Sequence, residues 1–149
     1  MKNTLSISWK LKYMELAKTI ASWSKDPSTQ VGAICVGEIG QVLSQGYNGF
    51  PRGVLDLPEK LQDRTEKYKH TVHAEMNCIY HACRTGVSLK GSSMFVYGLP
   101  ICHECAKAII QVGVKKVYFN QQSEKENWKV SCNFSLELFK QCGVEYETI

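Results

Sequence analysis

A chain of 149 residues with 44% hydrophobic and 21% charged residues has the composition of one ordinary globular domain, which excludes disordered, fibrous and membrane-spanning classes. The net charge of +4 is modest and the basic residues are scattered, so composition does not indicate a polynucleotide partner. Seven cysteines and no N-terminal secretion signal predict a cytoplasmic protein with reduced thiols and no membrane partner. We therefore expect a single domain over residues 1–149.

The first half of the chain predicts a helix, a hairpin and a glycine-rich loop. Apolar residues recur at steps of three and four from Ser8, the expected N-cap, to about Trp23, which predicts an amphipathic helix. Strands over 31–36 and 41–45 are joined by a glycine turn. The loop 46–53 follows, and its three glycines permit backbone shapes and close approaches that other residues forbid.

The second half predicts alternating helices and strands. Residues 54–70 are dense in charge and weak in periodicity, so we expect a surface segment with one short helix. The elements after it are helices over 71–85, 102–112 and about 132–141, and strands over 94–97, 116–119 and 144–146. This order predicts an α/β sheet with helices on both faces.

Two short motifs carry the strongest functional signal. His73 and Glu75 open one predicted helix, and Cys102 and Cys105 open another. Residues three apart in a helix lie about sixty degrees apart, so both cysteines can present sulfur to one ion, with His73 as a third ligand. Three protein ligands leave the fourth position of tetrahedral zinc open, as in a catalytic site. The paired motifs match the signature of zinc nucleobase deaminases.

In that signature the glutamate is not a ligand, which leaves Glu75 as the proton carrier. It is expected to take a proton from water, pass it to ring nitrogen N3 of cytosine, and deliver a proton to the departing ammonia. His73 and Glu75 converge only at a helix end, because residues two apart point to different faces in mid-helix. Two helix N-termini facing the site would favour thiolates.

The other cysteines, histidines and aromatic residues lack a second ligand spacing. Buried apolar packing is the predicted role of Cys35, Cys78, Cys83, Cys132 and Cys142. A solvated loop position is favoured for His70 over an extra metal ligand, and His81 and His103 are assigned no chemistry. Core or interface positions are predicted for Trp9, Tyr13 and Trp23.

The two motifs and three further segments resemble the cytidine and deoxycytidylate deaminase family; the segments are 24–27, 30–33 and 46–51. The resemblance extends from about residue 8 to residue 120. The resemblance implies a three-layer α/β/α cytidine deaminase-like fold with a five-stranded mixed sheet, usually assembled as a hexamer. It also implies the zinc-dependent hydrolytic deamination of dCMP to dUMP with release of ammonia.

By position, the resemblance assigns Asn48 to the sugar, the backbone of Ala74 to the base edge, and Lys25 and Arg84 to the neighbourhood of the phosphate. In this family the glycine-rich loop also helps to bind a regulatory nucleoside triphosphate with Mg²⁺, often dCTP as activator and dTTP as inhibitor. The implied effector contacts are Asn48, Gly49 and Arg52.

The chain departs from the family pattern in two places. A proline usually stands immediately before the first metal cysteine, whereas here Pro100 is followed by Ile101. An aromatic residue that stacks on the base in some relatives is not evident in the region 121–123, and Trp128 is a candidate substitute, with packing as its alternative role.

Three alternatives use the same residues. A deaminase of polynucleotides would share the metal chemistry but would need a basic groove with stacking aromatics. A non-catalytic zinc module would use the ion only to hold the fold together, leaving Glu75 without a role. A redox pair of Cys102 and Cys105 would leave the His73 motif unexplained.

Overall fold

The computed structural model describes residues 5–120 and 126–149, and within the second range it describes only the backbone of residue 127. Within these residues no helix is both long and apolar enough to cross a membrane. The elements in chain order are α1 Ile7–Ala21, β1 Gly32–Val36, β2 Val42–Tyr47, α2 Pro58–Gln62, α3 Arg64–His70, α4 Ala74–Thr85, β3 Ser93–Tyr97, α5 His103–Gln111, β4 Lys116–Phe119, α6 Glu126–Cys142 and β5 Glu145–Thr148.

The five strands form the predicted mixed sheet, and their order in it is β2-β1-β3-β4-β5. Strand β1 is antiparallel to β2 and β3, whereas β3, β4 and β5 run parallel. Successive strand residues face opposite sides. Ile34 and Phe95 pack with α1, and Cys35 and Met94 pack with α4 and α5, where Phe139 of α6 joins the same core. The three-layer α/β/α architecture is therefore confirmed.

The first helix differs from its prediction at its start and in its aromatic residues. Ser6, not Ser8, is the N-cap, because its hydroxyl accepts the backbone N–H of Trp9 at 3.3 Å. Tyr13 is buried in the core, whereas Trp9 and Trp23 are 50% and 52% exposed, which excludes the core alternative for both and leaves the interface alternative a prediction. Helical spacing alone did not separate the buried stripe from its edges.

The charged segment 54–70 contains two short helices instead of one. Asp63 separates them, since its carboxylate accepts the backbone N–H groups of Thr65 and Glu66 at 2.9 and 3.2 Å and caps α3. Neither helix has a fully buried residue, so neither leaves an apolar stripe in the sequence.

Two of the five cysteines predicted to be buried are exposed, namely Cys83 and Cys142. The buried stripe of α4 runs through Ala74, Cys78 and Ala82 at steps of four, and Cys83 lies one residue beyond it. The remaining cysteines outside the motifs are buried as predicted: Cys35, Cys78 and Cys132.

Strand β2 and helix α4 touch through their backbones at Gly46. A Cβ atom at this glycine would lie 2.3 Å from the backbone nitrogen of Cys78 and 2.7 Å from the carbonyl oxygen of Ala74. No other residue type fits without displacing the helix. This contact fixes the first turn of α4, which carries the chemistry described next.

Candidate active site

His73 and Glu75 stand at the start of α4, as the sequence predicts. His73 is the N-cap, with extended backbone angles, and Glu75 lies in the first turn. The change of backbone direction at the cap lets residues two apart in sequence face the same space. Glu75 is buried, with 4% of its surface exposed.

Cys102 and Cys105 occupy the matching position on α5, with one correction. Cys102 lies before the helix as its N-cap and is not its first residue, so the expected helical spacing of the two sulfurs is wrong in detail. Its Sγ accepts the backbone N–H of Cys105 at 3.5 Å, which turns the first sulfur towards the second residue.

Three ligand atoms converge between the two helix starts. Nδ1 of His73 lies 3.3 Å from Sγ of Cys105 and 3.5 Å from Sγ of Cys102, and all three atoms lie within 4.8 Å of one another. Tetrahedral zinc, with bonds of about 2.0 Å to nitrogen and about 2.3 Å to sulfur, places such atoms about 3.6 Å apart. The donor set and its spacing therefore fit one zinc ion.

The charges of the site follow from burial and from contacts within the cluster. Hydrogen bonding to Cys105 and His73 lowers the pKa of Cys102 to about 4, so Cys102 is a thiolate. The same contact with Cys102, together with burial, raises the pKa of Cys105. Burial raises the pKa of Glu75 to about 7, which is the range in which one carboxyl can both accept and donate a proton.

Glu75, His73 and Cys102 open into a cavity of about 390 Å³, a volume typical of small-molecule sites. The other wall residues come from the loop before β1, the glycine-rich loop, α3, the segments flanking α4 and α5, and α6. They are Asp26, Ser28, Thr29, Val31, Asn48, Arg64, Lys67, Tyr68, Thr71, Ala74, Leu99, Pro100 and Trp128.

A family model and similar relatives identify the family of this chain. The model of the cytidine and deoxycytidylate deaminase zinc-binding region matches residues 7–121. This chain belongs to the cytidine and deoxycytidylate deaminase family. It is 40% identical over 139 residues to an uncharacterised deaminase in the luxG 3′ region of Aliivibrio fischeri, a match that covers 92% of this chain and 90% of that protein.

Two further relatives carry substrate names. The deoxycytidylate deaminase of Homo sapiens is 38% identical over 145 residues, which cover 94% of this chain and 79% of that protein. The crystal structure of dCMP deaminase from the cyanophage S-TIM5, in complex with dCMP and dUMP, superimposes with a TM-score of 0.79 at 28% identity and covers 98% of this chain and 100% of that one.

Two of the residues that the family resemblance assigns to substrate lie on the cavity wall. The side-chain oxygen of Asn48 accepts the backbone N–H of Val31 at 2.9 Å, and its amide group donates to the carbonyl of Thr29 at 2.9 Å. One amide hydrogen of Asn48 remains for a ligand. Ala74 is the first residue of α4, where the backbone N–H has no partner within the helix.

The other two assigned residues lie at neighbouring cavities, so their assignment to the phosphate stays a prediction. Lys25 pairs with Asp56 at 3.2 Å and lines a smaller neighbouring cavity. Arg84 lines a separate cavity of about 800 Å³ beside β2. Neither side chain lines the cavity that contains Glu75.

Among the family effector residues, Arg52 joins Arg84 and His81 at that separate cavity. Nδ1 of His81 faces the carbonyl of Gln45 and must donate to it, so Nε2 accepts from Arg52 at 2.9 Å. His81, to which the sequence assigned no role, thus holds Arg52 in place.

Gly49 forms an isolated antiparallel β-bridge with Val72. Its backbone N–H donates to the carbonyl of Val72 at 3.2 Å, and the N–H of Val72 donates back at 2.8 Å. This N–H is therefore not available to an effector phosphate in this conformation. The bridge instead joins the glycine-rich loop to the residue before His73.

The two departures from the family pattern have different outcomes. Ile101 is buried, and its carbonyl accepts the hydroxyl of Ser135 at 2.8 Å, so the position usually taken by proline is held by α6. The region 121–123 lies outside the described residues. Trp128, the candidate substitute for the missing aromatic residue, lines the cavity.

Sequence reasoning missed the contribution of α3 to the cavity, namely Arg64, Lys67 and Tyr68. The available signal was the spacing of three between the two basic residues, which puts them on one face of a helix. His70, expected in a loop, also lies in α3, where its Nδ1 contacts the carbonyl of Glu66 at 2.8 Å. His103 contacts the Ser131 hydroxyl at 3.0 Å and lies outside the ligand cluster.

Proposed function

We propose that this chain deaminates dCMP to dUMP by adding water and releasing ammonia, with Zn²⁺ held by His73, Cys102 and Cys105. The observation that carries the proposal is the buried Glu75 carboxyl, which stands beside the three ligands in the wall of a cavity of mononucleotide size. The ion, when bound, supplies Lewis-acid activation of water. We infer that the enzyme works in the cytoplasm, where its thiols stay reduced.

Glu75 performs the proton transfers. Its carboxylate takes a proton from the attacking water and gives it to N3 of the cytosine ring as the C4–O bond forms. It then moves the remaining proton of the new C4 hydroxyl to the amino group, so that the C4–N bond breaks, ammonia leaves and a carbonyl forms at C4. A pKa of about 7 keeps the carboxyl close to balance between its two forms during this exchange. The free N–H of Ala74 meets the base edge, Asn48 meets the sugar, and Trp128 offers the aromatic surface for the base.

The test is ammonia release from dCMP, dCTP, deoxycytidine and a cytosine oligonucleotide by the zinc-loaded protein. We expect dCMP to react with the highest kcat/KM. No ammonia from any of the four compounds at one zinc per chain would leave a non-catalytic zinc module. A preference for the oligonucleotide would instead favour a polynucleotide deaminase.

We propose in addition that dCTP with Mg²⁺ activates the enzyme and dTTP inhibits it, within a hexamer. Support comes from the glycine-rich loop, which reaches both cavities. Asn48 lines the one with Glu75, Arg52 lines the one with Arg84, and Gly49 is bonded to the residue before His73. A triphosphate among these arginines would shift the loop and the metal helix together.

Effector and substrate binding are then reciprocally coupled. We expect sigmoidal dCMP kinetics that become hyperbolic with dCTP and weaker activity with dTTP. Replacement Arg52→Ala should blunt both responses with zinc content unchanged, and sedimentation should show six chains. If the dCMP kinetics of the wild-type protein are hyperbolic and neither triphosphate changes them, the regulatory proposal is wrong, whereas the proposed deamination is not affected.

A further inference from the structure

The cavity wall contains a polar corner built around Asp26 and Lys67. Nζ of Lys67 lies 2.8 Å from the hydroxyl of Ser28 and 3.4 Å from Oδ1 of Asp26. The same carboxylate oxygen accepts the backbone N–H groups of Ser28 and Thr29 at 2.9 and 3.0 Å. Lys67 and Asp26 side chains are only 12% and 8% exposed, so the corner is ordered before any ligand arrives.

The charges of this corner leave one positive group unbalanced. Asp26 neutralises Lys67, although one ammonium hydrogen remains free after the contacts with Asp26 and Ser28. Arg64 lies one helical turn before Lys67, lines the same cavity, and has no ion-pair partner among residues 5–120 and 126–149. A guanidinium offers paired N–H donors that match the oxygens of a phosphate group.

We infer that Arg64 and Lys67 bind the 5′-phosphate of the substrate, with Arg64 as the residue that selects a nucleotide over a nucleoside. This inference rests on the proposed deamination of dCMP. A phosphate monoester carries between one and two negative charges at neutral pH, which the unbalanced guanidinium and the free ammonium hydrogen of Lys67 complement. Lys67 positions the phosphate through the fixed Ser28 corner, and Arg64 supplies the net charge.

The experiment compares Arg64→Ala with Lys69→Ala. Lys69 belongs to the same helix, pairs with Glu66, is 67% exposed and does not line the cavity, so it controls for loss of one positive charge from α3. We expect Arg64→Ala to lower kcat/KM for dCMP about 10- to 100-fold, the range of one charge-assisted contact. In the same variant, kcat/KM for deoxycytidine should change less than about twofold. Lys69→Ala should leave kcat/KM for both substrates unchanged.

A second readout is independent of turnover. Binding of the product dUMP, followed by the fluorescence of Trp128 and the other tryptophans or by calorimetry, should weaken by the same factor in Arg64→Ala, while deoxyuridine binding stays constant. Arg64→Lys should recover part of the loss. If Arg64→Ala lowers kcat/KM for dCMP and deoxycytidine by the same factor, or lowers neither, the phosphate assignment is overturned. Wild-type protein that deaminates neither dCMP nor deoxycytidine would refute the proposed function instead.

Discussion

The metal end of the cavity and its α3 wall are built in different ways. At the metal end, four functional residues belong to two motifs, and their positions follow from caps and first turns of two helices. At the α3 wall, Lys67 meets Ser28 across 39 positions of the sequence, in a segment without apolar periodicity. The proposed chemistry therefore depends on local backbone geometry, whereas the proposed selection of substrate depends on contacts that only the complete fold creates.

The largest effect is expected from removing a ligand. Replacement Cys102→Ala leaves two protein ligands, so zinc content should fall from about one per chain to near zero and ammonia release should be lost. Cys83→Ala, at an exposed position on α4, should keep both. Metal analysis and activity on the same samples make the comparison. A Cys102→Ala protein with full zinc would remove Cys102 from the ligand set.

The next effect separates proton transfer from metal binding. Glu75→Gln should keep zinc and lower kcat about 10²- to 10⁴-fold, because an amide neither accepts nor releases a proton near neutral pH. Glu104→Gln is a matched control, since Glu104 occupies the same position after its cap on α5 but is exposed and pairs with Lys107. More than about a tenth of wild-type kcat in Glu75→Gln would contradict the proton role.

The sheet and the metal cluster could be predicted from the sequence for a physical reason. Strand β4 has its predicted bounds, 116–119, because a strand buried on both faces leaves a short continuous apolar run in the sequence, here residues 117–119. The α3 wall and the position of Arg84 left no such trace. Arg84 was assigned by resemblance to the substrate phosphate, yet the direction of a surface side chain depends on its position around the helix and on the packing of that helix.

Gly46 connects local backbone geometry with long-range contacts, because the choice of glycine at this one position permits the close contact between β2 and α4. Replacement Gly46→Ala should lower the free energy of unfolding by about 1–3 kcal/mol, since its Cβ would overlap the backbone at Cys78 and Ala74. Gly49→Ala is the control, with no atom within 4 Å of the added Cβ, and should change stability by less than about 0.5 kcal/mol. Equal urea midpoints for the two variants would show that α4 adjusts freely.

The smallest effect concerns the charge that organises the α3 wall. Burial raises the pKa of Asp26, but hydrogen bonds from Ser28 and Thr29 and the ammonium of Lys67 outweigh it, so the pKa lies below its usual value of 3.8. A lowered pKa means that the unfolded chain binds the proton more readily than the folded one. The stabilising contribution is therefore present above about pH 4 and is lost as the pH falls through the pKa of the folded protein.

Replacement Asp26→Asn keeps a side-chain oxygen for the N–H groups of Ser28 and Thr29 but removes the charge that faces Lys67, so we expect a loss of only about 1 kcal/mol at pH 7. Urea denaturation at pH 7, 5 and 3 should show the difference from wild type narrowing at pH 3, because the Asp26 carboxyl of the unfolded chain is largely protonated below its usual pKa of 3.8. Asp56→Asn, which breaks an ion pair with the mostly exposed Lys25, should match wild type throughout. A deficit of Asp26→Asn that is the same at pH 3 and pH 7 would mean that the corner is held by its hydrogen bonds alone, with no contribution from the charge of Asp26.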